Sequence, residues 1–221
     1  MFLDTPTQIL NVPLDKYHKV KEVSLFCCRN YDIYSVFEHI CNNFINLEEL
    51  IITNNDLLTI PVSIGNLTQL KRLWLNCSKI KKIPDEIGNL TKLEEFELGT
   101  TQVYTLPNSI ANLQNLSLIV FDKLALMNKN VFISSVNMLV LRWGINIKVP
   151  ENITSLNILN AHDLFLNDLP VHIEHLKMSN VNKPLLNLPP CLKTLELDYT
   201  DDITMDDIRL PFGCEYIGIT I

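Results

Sequence analysis

The chain has 221 residues, 47% hydrophobic and 19% charged, with a formal net charge of -7. That balance suffices to bury a core and is too apolar for a disordered segment, while the acidic excess argues against nucleic acid, whose binders carry a basic stripe that releases counterions. No stretch approaches an uncharged membrane span, and Asp4 stands where a secretory leader needs a basic start, so the expectation is a cytoplasmic protein with no membrane partner.

In chain order, residues 1–19 read as an N-terminal capping segment and residues 20–221 as one continuous repeat domain. A first strand centres on Ser24, and the long interval after it leaves room for a helix over roughly Ile33 to Phe44. Then a phrase recurs: IGNLTQL at Ile64–Leu70, IGNLTKL at Ile87–Leu93 and a worn IANLQNL at Ile110–Leu116, each displaced by 23 residues. Units beginning at Leu47, Leu70 and Leu93 share an L-x-x-L-x-L core, a polar position, and Ile60-Pro61, Ile83-Pro84 or Leu106-Pro107. The period-2 alternation at the centre of each unit is a short strand with its apolar side chains on one side. Further units begin at Leu116, Val136, Ile153, Ile173, Leu192 and Cys214, which places Ile217 and Ile219 inward and Gly218 at the last strand centre. A lone unit cannot cover its apolar side, so copies must stack, strand beside parallel strand.

These units resemble the leucine-rich repeat family. The resemblance implies an α/β solenoid, a right-handed horseshoe with a parallel concave sheet of about ten short strands. The middle units are similar to the intracellular signalling type, and the shorter C-terminal ones, such as LPVHIEHLKM and LPPCLKTLEL, to repeats of bacterial effectors. In the family a polar residue after the strand, often Asn, satisfies backbone groups as the chain turns inward. Here Asn55 keeps it, and Cys28, Ser78, Thr101 and Thr200 are partial substitutes. Leu124, Ala161 and Val181 offer no side-chain hydrogen bond, so their turns should be irregular.

Motifs for chemistry are scarce. There is no phosphate-binding loop, nucleophile elbow or zinc-binding H-E-x-x-H, so no enzyme activity and no cofactor are expected. His172 and His175 diverge across a strand start. Cys27-Cys28 reads as a turn, and Asp201, Asp202, Asp206 and Asp207 lack the glycine and closing glutamate of a calcium loop. The six cysteines show no paired spacing and read as reduced thiols.

Stacking in register puts Glu48 between Lys21 and Lys71, and Arg72 between Glu49 and Glu95, a lateral ladder that helps hold register. The fifth position of each unit points out from the concave sheet, and it begins Ser24, Ile51, Trp74, Glu97, Val120, Val140. Leu118, Met138 and Trp143 lie at neighbouring outward positions. Apolar side chains here either cover one another or await a partner; tryptophan favours interfaces. The residues expected to bind a protein partner are therefore Ile51, Trp74, Leu118, Val120, Met138, Val140 and Trp143. An alternative is self-assembly, as a homo-oligomer pairing through the C-terminal edge strand in YIGITI. The abundance of Asn and Ile with little Ala is the bias of AT-rich genomes, which raises the expectation of a viral or pathogen protein acting on host signalling in the host cytoplasm.

Overall fold

A computed structural model describes residues 1–28, 30–53, 56–76, 79–99, 101–103, 106–121, 138–141, 149, 151, 153–159, 161, 169–198 and 203–218, with backbone alone at 118–121 and 138–141. Among these residues eleven strands form one sheet in strict chain order, each pairing parallel with the next. They are β1 (Phe2–Leu3), β2 (Glu22–Phe26), β3 (Glu49–Thr53), β4 (Arg72–Asn76), β5 (Glu95–Leu98), β6 (Leu118–Phe121), β7 (Met138–Leu141), β8 (Ser155–Ile158), β9 (His175–Ser179), β10 (Thr194–Asp198) and β11 (Glu215–Ile217). Where the sequence suggests about ten, β1 is the addition: Phe2 and Leu3 pair with Glu22 and Val23 at the start of the stack.

The core lies on one side of this sheet. Leu50, Ile52, Leu73, Leu75, Phe96 and Leu98 alternate with outward residues along β3, β4 and β5 and are completely buried. Leu47, Leu70, Leu93 and Leu116, which open their units, are equally buried. Each unit leans on the next through backbone as well: the amides of Glu48, Lys71 and Glu94 donate to the carbonyls of Lys21, Glu48 and Lys71, each at 2.8 Å. One ladder thus runs continuously from before the strands into them.

Among the described segments returning behind the sheet, the second helix, Ile33–Asn43, is the longest helical element and those after it are shorter. Helix α1 (Pro6–Leu10) starts at Thr5, whose hydroxyl accepts from the Gln8 amide, with proline at the first turn where its missing N–H costs nothing. Helix α2 (Ile33–Asn43) is capped by Asp32, which accepts from the amide and hydroxyl of Ser35. Its buried residues, Ile33, Val36, Phe37, Ile40 and Cys41, recur at the spacing of one helical face. The next three returns are 3-10 turns, Val62–Asn66, Asp85–Asn89 and Asn108–Asn112, each entered through a proline with φ near -67°. The repeated phrase explains them. Ile64, Ile87 and Ile110 and then Leu67, Leu90 and Leu113 are all completely buried, while a Cβ on Gly88 would lie 2.5 Å from the Ser109 carbonyl of the following turn. Glycine is needed where turn packs on turn. The third copy carries Ala111 at this place, and that residue is exposed. Between β9 and β10 the described backbone has no helical turn at all.

Two expectations about the turns resolve as backbone chemistry. Thr101 Oγ1 donates to the Leu98 carbonyl at 3.1 Å and the Cys28 thiol to the Phe26 carbonyl at 3.4 Å, so both act as the polar substitutes. Ala161 and Val181 are buried. There the Ala161 amide donates to the Ser179 carbonyl, and Asn180, in the left-handed region at φ 55°, donates its side chain to the Leu159 carbonyl. Asn55, Ser78, Leu124 and Thr200 lie outside the described residues.

The last strand departs from the expected register by one residue. Leu195 pairs with Tyr216 and Glu196 with Ile217, so Tyr216 packs partly against the core while Ile217 is 45% exposed. Gly218 is not the strand centre, and Ile219 lies outside the described residues. A turn at Pro211–Cys214 absorbs the shift, closed by the Cys214 amide on the Pro211 carbonyl, with Gly213 at φ 78°, where a side chain would be strained.

The lateral charges form as the register requires. Glu48 receives Lys21 Nζ at 2.7 Å on one oxygen and Lys71 Nζ at 2.9 Å on the other, and Arg72 is bound to Glu49. Hydrogen bonds from Lys21 and then Lys71 hold the Glu48 carboxyl down at about 2 instead of 4.5. A depressed folded-state pKa means that its stabilising contribution is complete above pH 4.5 and disappears as pH falls towards 2. With solvent-exposed partners that contribution is about 0–1 kcal/mol per pair. Urea titrations of Glu48→Gln should therefore show a shallower loss of stability between those two pH values than the parent; an identical acid limb would mean that the bridge contributes nothing.

A stronger test addresses the side of the sheet on which the core lies. Leu98→Ala leaves a cavity in the shared core and should cost about 2–5 kcal/mol by chemical denaturation. Glu97→Ala, one residue earlier on the opposite face, should cost far less. The reverse order would invert the assignment of the two faces.

Candidate functional site

Strict register gathers one residue from every repeat into a row across the outward face: Ser24, Ile51, Trp74, Glu97, Val120, Val140, Asn157, Lys177, Glu196 and Ile217. Leu118 and Met138 are neighbours in the parallel row that starts with Glu22 and runs through Glu49, Arg72 and Glu95. Thus six of the seven residues expected to meet a partner fall in two adjoining rows. Trp143, the seventh, lies outside the described residues, as do the side chains of Leu118, Val120, Met138 and Val140.

Exposure within the row differs from expectation at its N-terminal end. Ser24 is only 6% and Ile51 only 9% exposed, although both occupy outward positions. Strand neighbours stand about 4.8 Å apart, so a side chain as large as an indole shades the smaller one beside it. Trp74 itself is half-buried, flanked by Ile51 and Glu97. What the face offers here is the indole, with the nearly buried Ile51 opposite it on the neighbouring strand. Asn76 Nδ2 donates to Glu97 Oε1 at 3.0 Å, which holds the carboxylate next to the ring.

The C-terminal half of the face is polar. Lys177 Nζ lies 2.6 Å from Glu196 and 2.8 Å from Asp198, and hydrogen bonds to Asp198 and then Glu196 raise its pKa. His175 Nδ1 and Thr194 Oγ1 are 2.8 Å apart. Lys177, Glu196, His175 and Thr194 line a shallow hollow of about 200 Å³ together with Ser155 and Asn157.

A larger hollow, about 440 Å³, opens at the strand ends, lined by Cys28, Tyr31, Asp32, Tyr34, Asp56 and Leu58 among others. Sequence reasoning missed it. Its only signal was two tyrosines at the start of the helix, Tyr31 just before it and Tyr34 in its first turn, which a repeat alignment treats as filler. The Tyr31 hydroxyl lies 2.8 Å from Thr7 Oγ1. Hydrogen bonds from Ser35 lower the Asp32 pKa, while Asp56 pairs with Lys79 at 3.1 Å.

The remaining chemistry-bearing candidates are structural. Burial first, and then the neighbouring Cys27, pushes the Cys28 thiol up, away from the thiolate a reactive cysteine needs. Cys41, inside α2's buried face, is pushed up to about 12 by burial. Among the described residues no disulfide forms. His172 and His175 flank the buried Ile173. Asp207 accepts from both the amide and hydroxyl of Thr204 at 3.0 and 2.8 Å and caps a 3-10 turn, while Asp201 and Asp202 lie outside the described residues. Among the described residues no group of three His, Cys, Asp or Glu could hold a metal ion, and no helix is long and apolar enough to cross a membrane.

Comparison with known proteins follows from this geometry. Among solved structures, the chain is similar to TLR13 in its complex with ssRNA13, at 16% identity and a TM-score of 0.50, covering 96% of this chain and 32% of that one. It is also similar to the internalin InlF of Listeria monocytogenes, at 15% identity and a TM-score of 0.49, covering 93% and 64% respectively. A third is the plant peptide hormone receptor RGFR1 in complex with RGF2, at 17% identity, a TM-score of 0.37 and coverage of 97% and 38%. This chain thus spans less than two thirds of each. No curated protein matches it. The family model described as "Leucine-rich repeat region" matches residues 19–187. With its stacked parallel strands and 23-residue phrases, the chain belongs to the leucine-rich repeat family.

Proposed function

We propose that this chain is a non-enzymatic protein-binding module, with residues 1–19 as its cap and residues 20–221 as the repeat domain, and that the outward sheet face receives a protein partner with Trp74 as its anchor. The observation that carries the reading is the indole's place. A solvated sheet face normally carries polar residues, yet here the largest side chain available stands half-buried in mid-strand, braced by Ile51 and Glu97. Tryptophan supplies a large contact area and is enriched among the residues whose truncation costs an interface most. A sheet locked by continuous pairing is already organised for docking, which lowers the entropic cost of association. One structure similar in fold is seen with single-stranded RNA. For this chain the net charge of -7 supports a protein ligand instead. The AT-rich composition supports extending the reading to a viral or pathogen protein that occupies a host partner in the cytoplasm.

Unbiased capture at low protein concentration identifies the partner, and titration calorimetry then locates its site. Trp74→Ala should weaken binding by about 2 kcal/mol or more with little change in folding stability. Lys177→Ala, on the same face but already engaged by Glu196 and Asp198, should change affinity by only about a few tenths of a kcal/mol. If Trp74→Ala binds normally but melts well below the parent, the indole is packing and the face is not the site.

A second reading, self-association beside β11, is favoured by one observation: Phe212 and Ile217 stand exposed there, the former completely. Light scattering over a dilution series should then show mass falling with dilution, and Ile217→Lys should abolish that dependence without unfolding the chain. A constant monomer mass before mutation removes this reading.

A further inference from the structure

We propose that the partner segment docking on the outward face is basic, bringing lysine or arginine side chains against the carboxylates around Trp74. This rests on the protein-binding reading above and narrows it to one chemistry.

The ground is a charge imbalance in the rows nearest the indole. In the row just before the strands, Lys21, Glu48, Lys71 and Glu94 cancel, and Glu48 grips both lysines. The next row faces outward and reads Glu22, Glu49, Arg72 and Glu95 on successive strands. It holds two negative charges in excess. Arg72 donates to Glu49 through both Nε and Nη2. Among the described residues no basic side chain forms an ion pair with Glu22 or Glu95.

Moreover, Glu22 stands directly opposite Glu49, and like charges opposed across a strand pair destabilise a sheet. Glu97, already engaged by Asn76, adds negative charge in the Trp74 row itself, and the imbalance does not depend on it. A free molecule that keeps this arrangement bears a repulsion that cations from a partner would relieve, and complementary charge also speeds docking and rejects wrong partners. The indole adds a face on which a guanidinium can stack. The same carboxylates repel a phosphate backbone, so the chemistry selects a basic protein segment over RNA.

The test uses three probes with the intact chain: a short capped peptide alternating arginine and leucine, its counterpart with glutamate for arginine, and a short single-stranded RNA. Only the arginine peptide should bind. Glu95→Lys should weaken that binding about tenfold or more, as a charge reversal inside a docking surface does. Asp85→Lys makes the same charge change on an exposed 3-10 turn behind the sheet and should alter binding less than about twofold, since separated exposed charges are screened. Should Glu95→Lys fail to fold, Glu95→Gln should still show a smaller loss in the same direction. Equal losses for the two sites, binding of the glutamate peptide, RNA binding that Glu95→Lys strengthens, or no binding of the arginine peptide would each overturn the inference. With the captured partner, loss on Trp74→Ala but not on Glu95→Lys overturns only the basic chemistry; loss on neither overturns the protein-binding reading too.

Discussion

Everything in this molecule depends on parallel pairing between repeats. A single unit exposes Leu, Ile or Phe on one side of a short strand and cannot cover them; the next unit, about 4.8 Å away in the hydrogen-bonding direction, can. Because the backbone ladder starts before each strand, at Glu48, Lys71 and Glu94, there is little freedom for one repeat to slide on another. Two consequences follow from the same constraint. The apolar residues merge into one core running from Leu3 to Leu197, and the outward residues are sorted into straight rows of like position.

Those rows are where function can be written without disturbing the fold. In the core, a substitution is felt by the repeats on either side. On the outward face each position is free to differ from its neighbours, and the face does change character along the sheet. Around β3, β4 and β5 it presents an indole among carboxylates. Around β9 and β10 Lys177 is held between Glu196 and Asp198, and His175 is joined to Thr194. Carboxylates that already hold a lysine have less to offer a ligand than Glu22 and Glu95, which form no ion pair among the described residues and lie near a large ring.

The core was legible in the sequence because its signal is periodic: Leu50, Leu73 and Phe96 recur every 23 residues, and the α2 face appears at helical spacing just where the longest interval allows. The register of the outward row was legible for the same reason as far as Glu196. What escaped was set by volume and by single turns. Period says that Ser24 and Ile51 point outward, but not that their neighbours leave them 6% and 9% exposed. The turn at Gly213 leaves the last interval one residue shorter than expected, which brings Tyr216 inward where Ile217 was expected. β1 has only two residues and no repeat to announce it. The hollow beside Tyr31 and Tyr34 forms where the segment entering α2 meets residues 56–59 of the next unit, a juxtaposition that the period does not announce.

The most direct measurement is site-specific photocrosslinking to the captured partner. A photoreactive amino acid at position 76, on the outward face beside Trp74 and Glu97, is compared with one at position 85, on the turn behind the sheet. Attachment from position 76 and not from position 85 is the outcome expected if the outward face is the docking surface. Attachment from position 85 with none from position 76 would contradict it, and would place recognition on the turns instead of the sheet.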